Sequence, residues 1–442
     1  MSESSSANLP ENIKIGVCGN VDSSKSSIIS CLAHDKLDNG KGSARALITN
    51  LEHELVSGRT SALSHTHIKG KTHSVSLIDN PGHERYFKTT LFGLTGLFID
   101  YGMVIVEPNK GLTKSSKEHL GVLIHMKIPF FIVLSKMDLT TVDKLKSVKE
   151  DIIKALKTGK KNAVFLDTDE KHIITEDYTK YSDIIQKADK IVPVLNVSCV
   201  TGHNMEILKS FIMLLKKRTH WEPETVDMTK SIFYIDTAYN VQHVGLVLSG
   251  YLKGKDIIVE DELYVGPLDI FNSKNKDVIL SGNLFTRIKV KSLHNGVREN
   301  VNIISHEETG CICIKFLDKS INLTKHQIKK GMVILSNIDD CLSTKKEGET
   351  IGKHISTKFV AQTNILHHHT TITDSYSAMI HCGPIRQTAK LTLADGKIAL
   401  RTGDKAEVTF EFMQRPEYLE IGAMFFFREQ GVRGVGKIIH VL

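Results

Sequence analysis

One short loop constrains the fold of this chain more than any other stretch. Residues 19–27 read GNVDSSKSS, follow an apolar run at residues 13–17 and precede an apolar-periodic segment at residues 28–32. This order predicts a strand, a tight loop and a helix, and its letters come close to the pattern G-x-x-x-x-G-K-[ST]. In such a loop, backbone N–H groups and the positive end of the next helix converge on an anion. The stretch therefore indicates a phosphate-binding loop, with an ordinary Ser-rich turn as the alternative.

Separate roles can be assigned within this loop. Lys25 is predicted to reach the β and γ phosphates, and the hydroxyl of Ser26 to bind Mg²⁺. Ser24 stands where the pattern has its second glycine, a residue that accepts positive φ. A serine there implies strain of about 1–3 kcal/mol. The residues predicted to bind the nucleotide here are Asn20, Val21, Asp22, Ser23, Ser24, Lys25, Ser26 and Ser27.

A second group of polar residues follows a short apolar strand, in the sequence DNPGH at residues 79–83. An aspartate at the carboxyl end of a parallel strand can hold Mg²⁺, and this is the role predicted for Asp79. Gly82 can turn its N–H toward a γ-phosphate, and His83 is placed to orient an attacking water. Thr60, in an upstream loop, is a candidate second hydroxyl ligand for Mg²⁺. The alternatives are a Pro-Gly turn with a capping aspartate and a plain surface threonine.

Two later loops have the residue types that recognise a guanine base. A predicted buried strand ends in SKMD at residues 135–138, which resembles the [NT]-K-x-D loop of GTPases. Asp138 would accept from guanine N1–H and N2–H₂, which adenine lacks, and Lys136 would lie along the base plane. Ser135 keeps a hydroxyl where Asn or Thr is usual. After the next strand, Ser198 and the backbone of Cys199 are predicted to face the guanine O6. Val200, in the same loop, is predicted to bind the nucleotide as well.

The alternation of strands and helices predicts a mostly parallel sheet that is covered on both faces. Most of the candidate loops follow the carboxyl end of a strand, where open α/β sheets bind ligands. The chain has 442 residues, of which 41% are hydrophobic and 24% charged, as in multidomain globular proteins with a large core. No apolar run approaches the roughly 18 residues of a membrane span. We therefore expect no membrane partner.

Composition adds three weaker expectations. The seven cysteines are scattered and include no C-x-x-C pair, which is typical of reduced thiols in a cytoplasmic protein. The formal net charge of +7 permits an anionic partner such as RNA. Residues 1–11 are Ser-rich and polar, without the apolar core of a secretory signal, and are predicted to form a frayed tail.

Taken in order, GNVDSSKS, RTS, DNPGH, SKMD and SCVTG resemble the motifs of the translational GTPases related to elongation factor Tu. Within that superfamily the chain is most similar to the branch of the eukaryotic GTP-binding proteins one and two. The stretches that carry this narrower resemblance are LDNGKGSAR, SGRTS, HERYFKTTLFGLTG, NVSCVTG, HCGPIRQTA and LRTGDKA. The final FREQGVRGVGKIIHVL resembles the end of the third domain of the superfamily. The resemblance covers nearly the whole chain after the tail.

The resemblance implies an α/β P-loop GTPase domain followed by two small antiparallel β-barrels. The sequence agrees, because short strands separated by Gly, Asn or Asp turns replace the helical pattern after residue 222. The predicted limits are 1–11 for the tail, 12–222 for the GTPase domain, and 223–342 and 343–442 for the barrels. Within the first domain, residues 44–56 and 205–216 are predicted to be helical. Residues 160–188 are predicted to be a surface insertion.

The family also implies an activity: binding of GTP or GDP with Mg²⁺ and slow GTP hydrolysis that accelerates when the ribosome positions the histidine. The residues that match the family's catalytic positions are His83, Thr60 and Lys25, and those that match its metal ligands are Ser26, Thr60 and Asp79. Residues 38–61 and 79–96 would be the switch segments ordered by the γ-phosphate.

Aminoacyl-tRNA and the ribosome are the partners that the family implies, for a protein expected to be monomeric. In that reading the barrels and one face of the GTPase domain hold tRNA. Candidate phosphate contacts in the second barrel are Arg386, Arg401 and Arg433. The triple histidine at residues 367–369 is not expected to bind a metal, because consecutive strand residues cannot all point the same way.

Three departures from the family pattern leave the function open. Ser24 and Ser135 replace the usual residues, and Arg59 stands where the elongation factors have an apolar residue that, with Val21, gates the histidine. One alternative is therefore a GTP-binding scaffold with weak or no hydrolysis, acting in ribosome rescue or with RNA-decay factors. Another is a metabolic GTPase such as a sulfate-activating subunit, against which LDNGKGSAR and HCGPIRQTA count.

Overall fold

The computed structural model describes residues 11–48, 60, 63–70, 73–166, 190–218, 226–268, 284–296, 299–318, 323–338, 354–366, 371–393, 399–429 and 432–442. The chain divides into two compact units. One unit is Met1–Leu94 with Phe98–Trp221, and the other is Thr95–Leu97 with Glu222–Leu442. The first unit is α/β and the second contains two barrels. The separate limits of the three predicted domains stay a prediction.

A seven-stranded sheet forms the centre of the first unit. Its strands are β1 Glu11–Gly19, β2 Ser64–Lys69, β3 His73–Asp79, β4 Tyr101–Val106, β5 Phe130–Leu134, β6 Asn162–Phe165 and β7 Ile191–Asn196. They lie in the order β2-β3-β1-β4-β5-β7-β6, and every pairing is parallel except that of β2 with β3. All residues of β4 and β5 are buried, so both faces of the sheet are covered there.

The helices of this unit are α1 Lys25–His34, α2 Ser43–Ala46, α3 Phe87–Thr95, α4 Lys114–His125, α5 Val142–Thr158 and α6 Met205–Met213. Two 3₁₀ turns, Glu84–Tyr86 and Met137–Leu139, follow β3 and β5. Helices α4 and α5 begin with the threonine caps Thr113 and Thr141, whose hydroxyls accept backbone N–H groups of the first turn. Helix α1 begins without a side-chain cap, which leaves its first N–H groups for another partner.

Two predictions for this unit were wrong in part. The predicted insertion at residues 160–188 begins with strand β6, which pairs in parallel with β7 at the edge of the sheet. Residues 167–189 lie outside the described residues. The helix predicted over 205–216 ends at Met213. The chain leaves the helix there because Tyr101 Oη donates to the Lys216 carbonyl at 2.8 Å and the Arg218 N–H donates to Asp100 at 3.2 Å.

The helix predicted over residues 44–56 is described only at its start. Helix α2 covers four residues, and a turn continues to residue 48. Residues 49–59 lie outside the described part of the chain, and Arg59 is among them.

The second unit begins with a β-barrel. Its strands are β8 Ser231–Val241, β9 Gly245–Gly254, β10 Ile257–Ile258, β11 Glu262–Gly266, β12 Thr286–Asn295, β13 Asn300–Val301, β14 Ile303–Ile304, β15 Thr309–Phe316 and β16 Val333–Leu335. Six of them follow one another as β11-β16-β8-β9-β15-β12, and the antiparallel pairing of β11 with β12 closes the ring.

A second barrel completes the unit. Its segment contains β17 Ile355–Ser356, β18 Lys358–Ile365, β19 Ile372–Thr373, β20 Ser377–Cys382, β21 Ile385–Leu393, β22 Ala399–Leu400, β23 Lys405–Phe412, β24 Glu417–Tyr418, β25 Met424–Arg428 and β26 Val432–Val441. The closed order is β18-β23-β21-β20-β25-β26. Buried residues alternate with more exposed ones along β18, β21 and β23, as the pleat requires. The predicted fold class is therefore confirmed.

Aromatic side chains fill the second barrel. Phe359, Phe410 and Phe425 are fully buried, and their ring centroids lie 5.3–5.4 Å apart. The stacked and edge-to-face arrangement suits the charge distribution of aromatic rings.

Candidate nucleotide-binding site

The candidate phosphate loop joins β1 to α1 and packs closely against β4. Gly19 has a φ of +150°, and a Cβ there would lie only 2.3 Å from the Ile105 carbonyl oxygen on β4. Ser23 Oγ donates to the Asn20 carbonyl at 2.8 Å, and the Val21 N–H donates to Asn20 Oδ1 at 2.8 Å. Asn20 therefore closes the loop through both its backbone and its side chain.

Ser24 has the backbone conformation that a glycine would adopt. Its φ is +68° and its ψ is +21°, in the left-handed region that disfavours residues with a Cβ. Its carbonyl still accepts the first helical bond, from the Ile28 N–H at 2.8 Å. The loop thus keeps the backbone conformation expected with a glycine, although residue 24 is a serine.

Lys25 is buried at the start of α1. Its Nζ donates to the Asn20 carbonyl at 2.7 Å, and only 6% of the residue is exposed. Burial lowers the pKa of the Lys25 ammonium, and the Asp79 carboxylate acts in the opposite direction. A Cβ at Gly82 would lie 2.4 Å from this Nζ and 2.8 Å from the backbone of Asn20. Glycine at residue 82 therefore allows the turn after β3 and the lysine to approach each other.

Three oxygen atoms from separate segments meet beside Lys25. Ser26 Oγ donates to Asp79 Oδ2 at 2.5 Å and lies 3.1 Å from Thr60 Oγ1. Thr60 Oγ1 donates to the same carboxylate oxygen at 3.3 Å. Hydroxyl and carboxylate oxygens are the ligands that Mg²⁺ prefers. The donor set therefore fits a Mg²⁺ ion held at the end of β3.

The turn after β3 is anchored to β1 and α3. Asn80, fully buried, donates from Nδ2 to the Val17 carbonyl at 2.9 Å, and Thr90 Oγ1 donates to the Pro81 carbonyl at 2.6 Å. The sequence contained Asn80 within the DNPGH motif but gave it no role. His83 is exposed, and its Nδ1 accepts the Arg85 N–H at 3.1 Å. A neutral ring with this bond has its proton on Nε2.

One cavity of about 290 Å³ collects most of the predicted residues. The predicted residues that line it are Val21, Asp22, Ser23, Ser24, Lys25, Ser26, Ser27, Thr60, Gly82, His83 and Lys136. The sequence reasoning missed five further lining residues, Asp38, Gly40, Lys41, Gly42 and Arg45. They lie within the predicted switch segment 38–61 but are not among the residues predicted to bind the nucleotide.

The two predicted base loops are joined by a hydrogen bond. Ser198 Oγ donates to Asp138 Oδ1 at 2.5 Å and accepts the N–H groups of Val200 and Thr201, each at 3.2 Å. Asp138 lines a second cavity of about 310 Å³, together with Asn196 and Thr201 among others. The serine hydroxyl thus fixes the carboxylate that is predicted to recognise the base.

Lys136 and Ser135 both form polar contacts with the end of β4. Lys136 has a φ of +57°, and its Nζ forms an ion pair with Glu107 at 3.0 Å, a partner that the sequence did not suggest. Ser135 is buried, and its N–H donates to the Val106 carbonyl at 2.9 Å. Its Oγ lies 3.5 Å from the same carbonyl. Cys199 is buried too, and its carbonyl accepts the Asp38 N–H at 2.9 Å.

The remaining predictions concern the second barrel and membranes. Arg386 and Arg401 are exposed, whereas the side chain of Arg433 and residues 367–369 lie outside the described residues. Within the described residues, no helix has the length and apolar character that a membrane span requires.

The chain is similar in sequence to several known proteins. The family model of the elongation factor Tu GTP binding domain matches residues 10–228. GTP-binding protein 1 of Xenopus laevis is 33% identical over 97% of this chain and 63% of its own length. GTP-binding protein 2 of Mus musculus is 30% identical over 97% of this chain and 69% of its own length. The chain thus spans about two thirds of the length of these relatives.

A similar solved structure is that of translation elongation factor SelB from Methanococcus maripaludis in complex with the GTP analogue GppNHp. It has a TM-score of 0.67 and 17% sequence identity, and the match covers 98% of this chain and 80% of that one. At this level of identity the likeness shows the fold alone.

Proposed function

The chain belongs to the family of translational GTPases that carry the elongation factor Tu GTP-binding domain, and we propose that it hydrolyses GTP in a ribosome-linked switch and binds tRNA. GTP and GDP are the nucleotides of the proposal, and Mg²⁺ is its metal. The convergence of Ser26, Thr60 and Asp79 beside Lys25 carries the proposal most directly. Such a set has little use in an ordinary Ser-rich turn, but it matches what a nucleoside triphosphate with its metal requires.

Each side chain has a defined task in this mechanism. Lys25 binds the β and γ phosphates in place of the Asn20 carbonyl, and the N–H of Gly82 binds the γ-phosphate. Ser26, Thr60 and Asp79 would hold Mg²⁺, which supplies positive charge to the phosphate oxygens when bound. His83 orients the attacking water from Nε2, since its Nδ1 is already bonded to the Arg85 N–H. Catalysis then depends on positioning and charge stabilisation.

Base selection is assigned to Asp138. The Ser198 hydroxyl holds one carboxylate oxygen at 2.5 Å, so the carboxylate is fixed before the base arrives. A carboxylate that accepts from guanine N1–H and N2–H₂ rejects adenine, because adenine leaves it without donors. Ser135, Lys136, Cys199 and Val200 complete the proposed base site.

We base the proposed contacts of the barrels with tRNA, and of this chain with the ribosome, on exposed basic side chains. Arg386 and Arg401 are exposed on the second barrel, as residues that contact RNA phosphates must be. We assign aminoacyl-tRNA as the RNA partner, with the cytoplasm as the compartment and the monomer as the working form.

A second candidate function has one observation in its favour. Ser24 is held with φ +68°, which strains the loop that must support the triphosphate. This favours a GTP-binding scaffold with weak hydrolysis, acting in ribosome rescue or with RNA-decay factors. Substitution Ser24→Gly distinguishes the two candidates. A large gain in turnover supports the scaffold, and an unchanged rate supports the hydrolase.

Measurement of GTP turnover with and without ribosomes tests the proposal. We expect ribosomes to raise the rate of the full chain, and we expect His83→Ala to abolish this rise. The matched control is His34→Ala, which removes an exposed histidine from the far end of α1 and should retain the rise. Tight GTP binding without turnover above that of His83→Ala under any condition would contradict the hydrolase and leave the scaffold.

A further inference from the structure

A short segment, here called the arm, lines the nucleotide cavity. It consists of residues 38–45 and is bonded at both ends. The Asp38 N–H donates to the Cys199 carbonyl at 2.9 Å, and the Ala44 carbonyl accepts from Ser30 Oγ on α1 at 2.5 Å. Ala44 is 2% exposed and packs in the core of the first unit. The arm is therefore fixed to both the base loop and the phosphate helix.

The arm brings two cations to the cavity. Lys41 and Arg45 both line it, together with Lys25 and Lys136. The Lys136 ammonium is already paired with Glu107 at 3.0 Å. The acidic residue of the arm, Asp38, bonds the backbone of the arm itself, because its Oδ1 accepts the Ala44 N–H at 2.8 Å. Its Oδ2 accepts the Gly42 N–H at 3.3 Å.

The backbone of the arm requires glycine at two positions because φ is positive there. Gly42 has a φ of +86°, and a Cβ there would lie 3.4 Å from a terminal nitrogen of the Arg45 guanidinium. The guanidinium is therefore folded back over Gly42. Gly40 has a φ of +77°, and its Cβ position lies 3.9 Å from Val200 in the base loop. The backbone of the arm at Gly40, next to Lys41, thus lies beside the base loop.

This position decides which phosphates the arm can reach. A nucleotide that spans the site has its γ-phosphate at Lys25 and Gly82, and its base at the loop that contains Val200. A group tied to the base loop and to the middle of α1 faces the part of the nucleotide between these ends. That part is the α- and β-phosphates, which GDP and GTP share.

We propose that Lys41 and Arg45 form a second cationic contact for the diphosphate portion of the nucleotide, common to GDP and GTP. This inference rests on the proposed function, because it concerns the same nucleotide. A guanidinium can bond two phosphate oxygens at once, whereas the lysine acts as a point charge. Both contacts add affinity without distinguishing the diphosphate from the triphosphate.

Equilibrium titration of the full chain with GDP and with GTP, each with Mg²⁺, tests this inference. We expect Arg45→Gln to weaken both nucleotides about tenfold and Lys41→Gln about fivefold, in line with bonds to charged groups. The ratio of the GDP and GTP affinities should stay unchanged, and Arg45→Lys should recover part of the loss. The control Lys36→Gln removes an exposed charge just before the arm, at a residue that does not line the cavity, and should bind like the wild type.

Three results would overturn the inference, and they are distinguishable. Wild-type affinity for both GDP and GTP in both Gln variants refutes it while the proposed function stands. Loss of GTP affinity alone refutes it too, because the contact would then be with the γ-phosphate. A wild-type chain that binds no guanine nucleotide refutes the proposed function itself. Thermal unfolding without nucleotide, measured for each variant, ensures that a lost affinity does not reflect a misfolded protein.

Discussion

Substitution of Ser24 by glycine should stabilise the first unit. An L-residue in the left-handed region costs roughly 1–2 kcal/mol, and the φ of Ser24 is +68°. Glycine removes this cost but loses about 0.5–1 kcal/mol more backbone entropy on folding. The serine side chain forms no cap hydrogen bond with α1, so no bond of that kind is lost. With the middle of each range, the net gain in the free energy of unfolding is therefore about 0.75 kcal/mol.

Differential scanning calorimetry of the nucleotide-free chain measures this gain. The transition of the first unit can be recognised because GDP should shift it upward. For a domain of this size, the gain corresponds to a rise in Tm of about 1–4 °C. Heating at a single rate and a single protein concentration keeps the variants comparable.

The neighbouring serine supplies the matched control. Ser23 does not have a positive φ, and its Oγ donates to the Asn20 carbonyl at 2.8 Å. Ser23→Gly should therefore lower the same transition, since it removes a buried bond and adds backbone entropy. A Tm that falls or stays constant in Ser24→Gly would refute the reasoning, because the strain would then be absent or already relieved in the folded loop.

Three further results are expected. Gly82→Ala should weaken GTP binding about tenfold more than GDP binding in titrations, because its Cβ would lie 2.4 Å from Lys25 Nζ; equal losses would contradict this. Asp138→Asn should lose GTP and gain xanthosine triphosphate in competition binding, since an amide can donate to the xanthine 2-oxygen; retained GTP preference would exclude Asp138 from base recognition. Burial and then Lys25 lower the pKa of His119 to about 3, so the folded protein keeps this ring neutral. The unfolded chain takes up a proton below about pH 6.5, so stability is lost as pH falls from there toward 3, by about 2 kcal/mol at pH 5. His119→Phe should flatten the fall in Tm between pH 7 and pH 5, and an unchanged fall would show that other groups cause it.

The parts of the site that the sequence predicted share a simple origin. Most are short polar stretches at the end of an apolar strand, as DNPGH begins at the last residue of β3 and SKMD follows β5. In a parallel sheet the carboxyl ends of the strands meet at one edge, so loops distant in sequence must become neighbours. The approach of Thr60 to Asp79 follows from the family pattern, since a lone threonine gives no signal of its own.

The parts that the sequence did not predict depend on tertiary contacts. Strand β6 has only four residues, and it is a strand because β7 offers a free edge with which to pair. Glu107 acquires its role only because Lys136, in the loop after the next strand, lies 3.0 Å from it. Likewise, Lys41 and Arg45 are ordinary loop cations as far as the sequence shows. Their position at the cavity depends on the bonds that Ser30 and Cys199 form with the arm.

The serine in the phosphate loop changes a residue of the motif but not the backbone groups that bind a phosphate. Gly19 against Ile105, and the bonds of Ser23 and Lys25 to the Asn20 carbonyl, fix the loop on both sides of Ser24. These contacts impose the left-handed backbone, and the serine adopts it at a cost in stability. The groups that bind a phosphate in such a loop are backbone N–H groups, which serine and glycine supply equally. The departure should therefore alter the stability of the loop and the rate at which it opens for the nucleotide, while the identity of the ligand stays the same.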